Sequence, residues 1–456
     1  MFLLLSAISA HRSYKKLDEY LENDDIESFR HELLRLHPYN QMTWFEQLQN
    51  PSLRKKVYQA LSAREFAAIF QKLKLKDQVE KVQELDDTYQ ADVFSAMSTN
   101  RLADLFNRLP EHFIHQTIDQ MDAEQARTAM QLMKHEEGTA GALMTTEFVS
   151  LNKSLTVEQA IEKLREFADE AETIYYVYVE NDEHKLVGVV SLRHLLAGES
   201  TKTLEEIMKE EVIQVVQDKD QEDIAKLTKD YDLIAIPVVD DDRHLLGIIM
   251  VDEIMDVVEE EATEDLGEFA ASRGALGIEL SALIAAKKRA PWIMGLLLIG
   301  MITAQIISFF ESTLQEVVML SAFIPLVMGA AGNTGTQTLA VIVRSISNDD
   351  VKKGVWKIIL RELSAGFMIG ICSAAVLLIV IPIFYNGNWP LAFIVGGSVF
   401  LALGFATFIG CVIPIIINKL NIDPAVASGP FITTLNDMVS IVIYFLIATS
   451  FLQYLQ

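Results

Sequence analysis

The chain has 456 residues, a net charge of −25 and a mean hydropathy of +0.23. Residues 1–290 contain 56 acidic and 32 basic residues, whereas only seven acidic and six basic residues follow from Pro291 onward. The acidic front part excludes nucleic acid as an expected partner, because that polyanion would need the opposite field, and the apolar rear part predicts a membrane region.

The front part begins with an apolar stretch, Met1 to Ala10, that has no basic segment before it and continues into an acidic helical pattern. We therefore expect the first helix of a soluble body rather than a signal peptide. Residues 15–135 carry apolar side chains at helical spacing, with breaks at Pro38, Pro51 and Pro110. The spaced apolar positions include Leu61, Phe66, Ile69, Phe70, Leu102, Leu105, Phe106 and Leu109. This pattern predicts an all-α domain of stacked helical hairpins over residues 1–138.

An internal repeat follows, in which Ile174–Leu196 is echoed by Ile234–Ile254 after about 60 residues. Each copy reads as a strand, an acidic turn, a strand with a glycine and a helix, and each is preceded by an amphipathic helix (Val157–Phe167 and Asp220–Tyr231). The pattern resembles a pair of cystathionine-β-synthase (CBS) domains, which we place at residues 139–258.

CBS pairs often bind adenine nucleotides through a Ser or Thr and an Asp three residues later. Here the first copy has Ser191 and His194, and the second has Met250 and Glu253. Both copies depart from that pattern, so ATP binding and a purely structural, metal-responsive pair both remain open, and no nucleotide-binding residue is assigned.

A run of carboxylates, Asp252 to Asp265, precedes a Leu-, Ala- and Ile-rich stretch that ends at Lys287. We expect a long connecting helix over residues 259–289. Helical spacing would place Asp256, Glu260 and Glu264 near one another, where like charges repel unless a cation bridges them. The alternative is an ordinary solvated helix face.

Five apolar segments in the rear part are long enough to cross a bilayer, which takes about 20 residues each. They run approximately over Pro291–Phe310, Val317–Val343, Val355–Tyr385, Pro390–Ile417 and Pro424–Leu455. The basic residues flank the first span and the second-to-third and fourth-to-fifth connections, which predicts a cytoplasmic front part and an external C-terminus. Cys372 and Cys411 lie inside spans, so neither a disulfide framework nor a thiolate metal cluster is expected.

Asp437 lies in the last apolar segment with no basic residue nearby in the sequence. A carboxylate in hydrocarbon is costly, and such residues usually face a water-filled path where ions travel. A protonated Asp bonded to a neighbouring helix is the alternative. Because Thr433, Thr434 and Asn436 surround it, we interpret this stretch as the polar-lined face of a cation path.

Three motifs give the whole chain a resemblance to the MgtE family of magnesium channels. Glu136 to Thr145 is similar to the family's junction between its helical and CBS domains, Pro325 to Gln337 to its second-span motif, and Asp423 to Asp437 to its fifth-span motif. Pro325 and the glycine run after it predict a break of the second helix inside the membrane. Gly329, Gly332 and Gly335 are expected to admit a neighbouring helix.

The resemblance implies a multidomain membrane protein. Its parts would be an all-α helical-hairpin domain, an α/β CBS pair, a long connecting helix and an α transmembrane domain of five helices at residues 290–456. It also implies a homodimer in the cell membrane that passes Mg²⁺ beside Asp437, with Asn333 and Thr433 adding oxygen ligands. Gly429 has no side-chain oxygen, so a ligand there would be a carbonyl or a water molecule.

The resemblance further implies a feedback gate, in which cytosolic Mg²⁺ bridges carboxylates of the CBS pair, the connecting helix and the pore mouth to hold the pore shut. The candidate ligands carried over are Glu222, Asp232, Glu253, Asp256, Glu261, Glu264, Asp265 and Asp423. The ion would have to bind the closed state more tightly than the open one.

Two other functions remain as alternatives. The chain could transport another divalent cation such as Co²⁺ or Mn²⁺, although no His, Cys or Met-rich ligation lies near Asp437 to favour softer metals. It could instead be a membrane-anchored nucleotide sensor that acts through the CBS pair, which would leave Asp437 unexplained. We do not expect an enzyme, because the sequence shows no nucleophile paired with a base.

Overall fold

The computed structural model describes residues 13–167, 171–272, 274, 280–347, 350–420 and 422–454. The expected first helix at Met1–Ala10 lies outside these residues. The chain divides into two compact units, Met1–Val258 and Glu259–Gln456.

The first unit begins with the helical domain, whose helices are short and closely spaced. They are α1 (residues 13–22), α2 (Ile26–Leu34), α3 (Pro38–Gln47), α4 (Pro51–Ala60), α5 (Ala63–Phe70), α6 (Leu75–Lys81), α7 (Asp87–Phe94), α8 (Thr99–Arg108), α9 (Glu111–Ile118) and α10 (Ala123–Leu132). Pro38 and Pro51 occupy first helical turns, where a missing N–H is tolerated. The eight apolar positions expected to face inward are all buried, so the helical reading is confirmed.

Aromatic side chains fill much of the helical domain's core. Phe66 is fully buried and its ring lies 5.3 Å from that of Phe45 and 5.1 Å from that of Tyr58, both in edge-on arrangements. Such contacts stabilise a pair beyond the area it buries. The domain is therefore a packed scaffold built from successive helices.

The CBS repeat follows, and each copy contains a three-stranded sheet. The elements are α11 (Ala140–Leu143), β1 (Ser150–Asn152), α12 (Val157–Phe167), β2 (Tyr176–Glu180), β3 (Leu186–Ser191), α13 (Leu192–Ala197), α14 (Leu204–Ile207), β4 (Val215–Val216), α15 (Gln221–Asp230), β5 (Ala235–Val239) and β6 (Leu245–Met250). In each sheet the first pair of strands is parallel and the second pair antiparallel. The repeat is confirmed, although sequence reasoning missed the short first strand of each copy.

The two sheets share a small apolar core. Tyr178 and Leu186 from the first copy pack with Ala235, Val239 and Ile248 from the second. Backbone hydrogen bonds between Thr145 and Ile248 also join the copies. The pair therefore forms one two-lobed body.

Helix α16 (Val251–Phe269) leaves the second CBS copy, and α17 (Ala282–Phe309) begins the membrane region. This differs from the expected single connecting helix over 259–289. After α16, Ala271 adopts a left-handed backbone with φ of +53°, a conformation that ends helices. Ser281 then caps α17 by accepting a hydrogen bond from the Ile284 N–H.

Within the described residues, five helical segments are long and apolar enough to cross a membrane, which confirms the expected number. They are Ala282–Phe309, Val318–Ser347, Gly354–Phe384, Trp389–Lys419 and Gly429–Ser450. The second comprises a 3₁₀ turn (Val318–Phe323) and α19 (Ile324–Ser347), and the last three correspond to α20 (Asp350–Phe384), α21 (Trp389–Lys419) and α22 (Gly429–Ser450). A short helix, α18 (Glu311–Glu316), follows α17.

The expected break of the second span at Pro325 and the glycine run is wrong. Helix α19 is continuous through all three glycines. Pro325 is its second residue, so the proline removes no intrahelical hydrogen bond. The change from 3₁₀ to α geometry occurs ahead of it, at Phe323.

Helices α19, α21 and α22 form the packed centre of the membrane region, and α17 and α20 are far more exposed within a single chain. The Tyr444 hydroxyl donates a buried hydrogen bond of 2.8 Å to the Leu320 carbonyl. Phe310 and Phe445 stack with ring centres 5.0 Å apart. These contacts tie the C-terminal half of α22 to the segment between α17 and α19.

Candidate ion path and gate

The start of the last span is set by Asp423 and the residues after it. The Asp423 carboxylate accepts a hydrogen bond of 2.8 Å from the Ala425 N–H and caps a 3₁₀ turn over Pro424–Val426. Helix α22 begins at Gly429, with Pro430 in its first turn. The span therefore starts five residues later than the expected Pro424, and Asp423 lies ahead of it.

Asp437 lies two turns into α22 and faces α19. A Cβ atom placed on Gly332 of α19 would stand 3.6 Å from Asp437 Oδ1 and 2.8 Å from Thr433 Cγ2. Because Gly332 has no side chain, α22 brings both residues against the α19 backbone. Asp437 is half-buried, and no described cation acts on it.

Hydroxyl groups extend this polar line by one turn. Thr433 Oγ1 and Thr336 Oγ1 are 3.1 Å apart, and Thr336 donates a hydrogen bond of 2.9 Å to the Gly332 carbonyl. Gly332, Thr336, Thr433 and Asp437 thus form a continuous polar strip, which we call the α19–α22 seam. The sequence motif contained Thr336, yet sequence reasoning did not single it out as a ligand.

Asn333 does not join the seam within one chain. It is exposed on α19, as is Gln337 one turn later, and no hydrogen bond between Asn333 and Asp437 is seen in the described part of the chain. Its role as an ion ligand stays a prediction.

Asn436 is a second residue that sequence reasoning left unassigned. It is 1% exposed, and within the described residues neither its amide nitrogen nor its amide oxygen has a hydrogen-bond partner. The side chain presses on α19 at Gly335, where an added Cβ would lie 1.8 Å from Asn436 Nδ2. An unpaired buried amide is costly, and such a group calls for an explanation.

Of the three motif glycines, Gly332 and Gly335 allow this close approach. An added Cβ on Gly329 would meet nothing within 4 Å. The expected helix-packing role therefore holds at two of the three positions in the single chain.

Two of the expected gate residues, Asp265 and Asp423, lie within range of each other's charge next to the membrane helices. Packing around Asp265 and, next, the negative charges of Asp423 and Glu264 raise the pKa of the Asp265 carboxyl, although its surface remains open to solvent. At the end of the same helix, Phe269 packs on the cluster of Leu339, Ala427 and Ile432. Carboxylate oxygens are the ligands that a hard divalent cation prefers.

Glu253 and Asp256, by contrast, already face a cation of the protein. The Arg101 guanidinium lies 3.0 Å from Glu253 Oε2 and 2.9 Å from Asp256 Oδ2, and Asn100 donates to Glu253 Oε1 over 3.2 Å. Burial raises the pKa of Glu253 to about 7 in spite of Arg101. Arg101 is the cation that sequence reasoning missed, since 152 positions separate it from Glu253.

The remaining candidates differ in their exposure. Glu222 in the first turn of α15 and Asp232 after that helix are exposed, as is Glu264, whereas Glu261 is half-buried. Within the described ranges, no three His, Cys, Asp or Glu side chains are arranged to hold a metal ion. The gate ligands that the resemblance implies stay a prediction.

In the first CBS copy, the Ser191 hydroxyl already has hydrogen-bond partners within the chain. Ser191 Oγ lies 3.1 Å from His194 Nδ1 and accepts a hydrogen bond of 3.3 Å from the His194 N–H. Ser191 thereby caps α13, a structural role that explains its place without a ligand.

Three family models match the chain in the order that the fold shows. A model described as the MgtE intracellular N domain matches residues 36–138, the CBS domain model matches 140–199 and 204–260, and a model described as a divalent cation transporter matches 324–447. The last of these covers the whole α19–α22 seam.

Two characterised relatives match nearly end to end. The magnesium transporter MgtE of Enterococcus faecalis is 40% identical over 96% of this chain and 96% of its own length. That of Bacillus subtilis is 39% identical over 95% of this chain and 96% of its own length. The chain belongs to the MgtE family. A solved structure of the cytosolic domain of the Mg²⁺ channel MgtE with ATP is 33% identical, with a TM-score of 0.51 over 54% of this chain and 99% of that domain.

The Pro325–Gln337 and Asp423–Asp437 motifs both lie inside the matched transporter region. That region runs from α19 through α20 and α21 into α22.

Proposed function

We propose that this chain transports Mg²⁺ across a membrane along the α19–α22 seam. The observation that carries the proposal is the Asp437 carboxylate, which lies inside a membrane-spanning helix with no described cation acting on it. An intramembrane carboxylate is retained where it faces an ion path. Thr433, Thr336 and the Gly332 carbonyl provide oxygen atoms beside it.

The chemistry of the seam fits Mg²⁺ as the transported ion. Mg²⁺ prefers oxygen ligands and gives up its hydration water reluctantly, so one carboxylate with hydroxyl and carbonyl oxygens suits a largely hydrated ion. Co²⁺ and Mn²⁺ are the competing substrates. Softer ligands that would favour Co²⁺ are missing from the seam residues that the structure describes.

We also propose that two copies of the chain form the transporter. One seam offers a single carboxylate, and the same helix α19 leaves Asn333 and Gln337 exposed. Polar side chains on a spanning helix need water or another protein surface rather than lipid. A second copy that meets this face would supply a second Asp437 and enclose the path.

The orientation proposed from the basic flanking residues places the first unit in the cytoplasm and the C-terminus outside. Asp265 and Asp423 would then face cytosolic Mg²⁺. We propose that the ion bridges these two carboxylates and thereby holds the end of α16, with Phe269, on the mouth of the seam. Loss of the ion would leave two like charges that repel each other.

The CBS pair is a second place where a ligand can be tested. A relative's cytosolic domain was solved with ATP, whereas Ser191 of this chain is bonded to His194. Binding of millimolar ATP to the purified full chain, measured by equilibrium dialysis, would assign a nucleotide to the pair. Without such binding, the pair is a structural and metal-responsive module.

Mg²⁺ flux into proteoliposomes tests the transport proposal directly. The wild-type chain is expected to carry Mg²⁺, and Asp437→Ala is expected to abolish the flux. Parallel assays with Mn²⁺ and Co²⁺ compare the substrates. Undiminished flux in Asp437→Ala would place the ion path elsewhere.

A further inference from the structure

One contact in the first unit joins the helical domain to the CBS pair through the first turn of α8. Thr99, Asn100 and Arg101 are the first three residues of this helix, and Ser98, its N-cap residue, provides no side-chain cap. Each of the three instead meets a carboxylate or a hydroxyl from beyond residue 138. The contact therefore depends on matching the donors of α8 with acceptors of the CBS pair.

The first part of this contact consists of hydrogen bonds rather than ion pairs. The Thr99 N–H donates to Glu147 Oε1 over 3.1 Å, and Thr99 Oγ1 lies 3.2 Å from Thr146 Oγ1. A carboxylate at the start of a helix also suits the positive end of its dipole.

The second part is ionic and centres on Arg101. Its guanidinium reaches both Glu253 and Asp256, which are one turn apart at the start of α16. Glu253 is 17% exposed and Arg101 32% exposed. Asp256 is 66% exposed, so the partly buried Glu253 is the carboxylate for which loss of the Arg101 charge is most unfavourable.

We infer that Arg101 occupies the position that a bridging divalent cation would otherwise take between the helical domain and the CBS pair. This inference rests on the proposed Mg²⁺ gate, because it concerns which part of that gate responds to the ion. The Arg101 contact forms without Mg²⁺, and the response to Mg²⁺ is left to the Asp265–Asp423 pair. Glu253 and Asp256 are thus removed from the set of metal ligands that the family resemblance implied.

A cysteine cross-link between positions 99 and 146 reports this contact without any flux measurement. In a full-length chain in which Cys372 and Cys411 are replaced by serine, Thr99→Cys and Thr146→Cys place two thiols where the hydroxyls are 3.2 Å apart. The rate of disulfide formation by a fixed concentration of the thiol oxidant diamide is measured with and without millimolar Mg²⁺. With Arg101 in place, we expect fast cross-linking that Mg²⁺ leaves unchanged.

Arg101→Gln is expected to slow the cross-link at least about tenfold without Mg²⁺, because two carboxylates lose their cation. Added Mg²⁺ is expected to restore the rate. Arg108→Gln is the matched control, since Arg108 lies on the same helix but is exposed and 3.5 Å from Glu137. It should behave as the parent chain does.

A triple variant guards against simple misfolding. Arg101→Gln combined with Glu253→Gln and Asp256→Asn removes the cation together with the charges that need it. We expect fast cross-linking that no longer depends on Mg²⁺. The inference is overturned if Arg101→Gln cross-links equally fast with and without Mg²⁺, if Mg²⁺ fails to restore it, or if the triple variant still requires Mg²⁺. Loss of flux in Asp437→Ala is independent of all three outcomes.

Discussion

The carboxylates singled out above differ between the two units in whether the protein supplies a cation for them. In the first unit, Glu253 and Asp256 are matched by Arg101 at about 3 Å. In the second, Asp437 has no described cation partner, and Asp265 lies near the like-charged Asp423. A carboxylate with its own cation holds the protein together, whereas one without leaves a place for a mobile ion.

The largest expected effect comes from neutralising Asp437 at nearly constant shape. Asp437→Asn should lower the initial rate of Mg²⁺ flux at least about a hundredfold, or about 3 kcal/mol in barrier height, because the amide cannot attract the ion as a carboxylate does. The measurement is uptake by proteoliposomes. Thr434→Ala is the control, since among the described residues the Thr434 hydroxyl bonds to the Pro430 carbonyl of its own helix alone, and it should keep a rate near that of the parent. A conducting Asp437→Asn would remove the distinction between the two units.

The second effect tests the tight packing beside the unpaired amide. Gly335→Ala should destabilise the membrane region by about 2–3 kcal/mol, because the new Cβ would overlap Asn436 Nδ2, which has no room to move. Gly329→Ala is the matched control on the same helix, with nothing within 4 Å of its added Cβ. Thermal unfolding of the two variants in detergent should separate them clearly. Equal melting temperatures would show that the seam can widen at little cost.

The third effect concerns the gate. Asp265→Asn should raise protection of the connecting segment (residues 259–289) from trypsin without Mg²⁺, because the repulsion from Asp423 is gone. It should also lower the protection at millimolar Mg²⁺, because a ligand is lost. The repulsion of an exposed pair is about 1 kcal/mol, so changes of about fivefold are expected in the cleavage rate. Glu260→Gln on the same helix serves as the control, and an unchanged Mg²⁺ response in Asp265→Asn would contradict the proposed bridge.

The smallest effect concerns Glu147, a carboxyl of the first unit on which no described cation acts. Burial and the neighbouring charge of Glu172 raise the pKa of Glu147 to about 7, so this carboxyl binds its proton more tightly in the folded than in the unfolded chain. Stability should therefore fall as the pH rises from 5 through 7, by about 1 kcal/mol.

Glu147→Gln should reduce this dependence and leave the part that comes from Glu253, whose pKa is also raised to about 7. Trp44 is the only tryptophan before residue 259, and it reports urea unfolding of the first unit once the other three are replaced by phenylalanine. A wild-type midpoint that rises with pH would contradict the assignment.

Patterns with a regular period gave the most accurate predictions. Helix α12 begins where the sequence placed it, and the five spans agree with the structure to within a few residues, except the start of the first and both ends of the last. The first strands of the two CBS copies were missed because β4 has two residues and β1 has three. Such segments are too short to show alternation.

The errors at the candidate site have a different cause. Pro325 was expected to break a helix, but its effect depends on its position, and at the start of α19 it is harmless. The pairing of Arg101 with Glu253 and the unsatisfied amide of Asn436 depend on contacts between distant segments. No periodicity within one segment reports such contacts.

The attachment of α22 at its C-terminal half limits how the seam could widen. Tyr444 is bonded to the Leu320 carbonyl, Thr449 Oγ1 lies 3.0 Å from Thr313 Oγ1, and Phe445 stacks on Phe310. Any displacement of Asp437 must either drag α18 and the turn after it along or bend α22 in the seven residues before Tyr444. Ser440 lies in that stretch, and its hydroxyl donates a hydrogen bond to the Asp437 carbonyl. We therefore expect α22 to bend at Ser440.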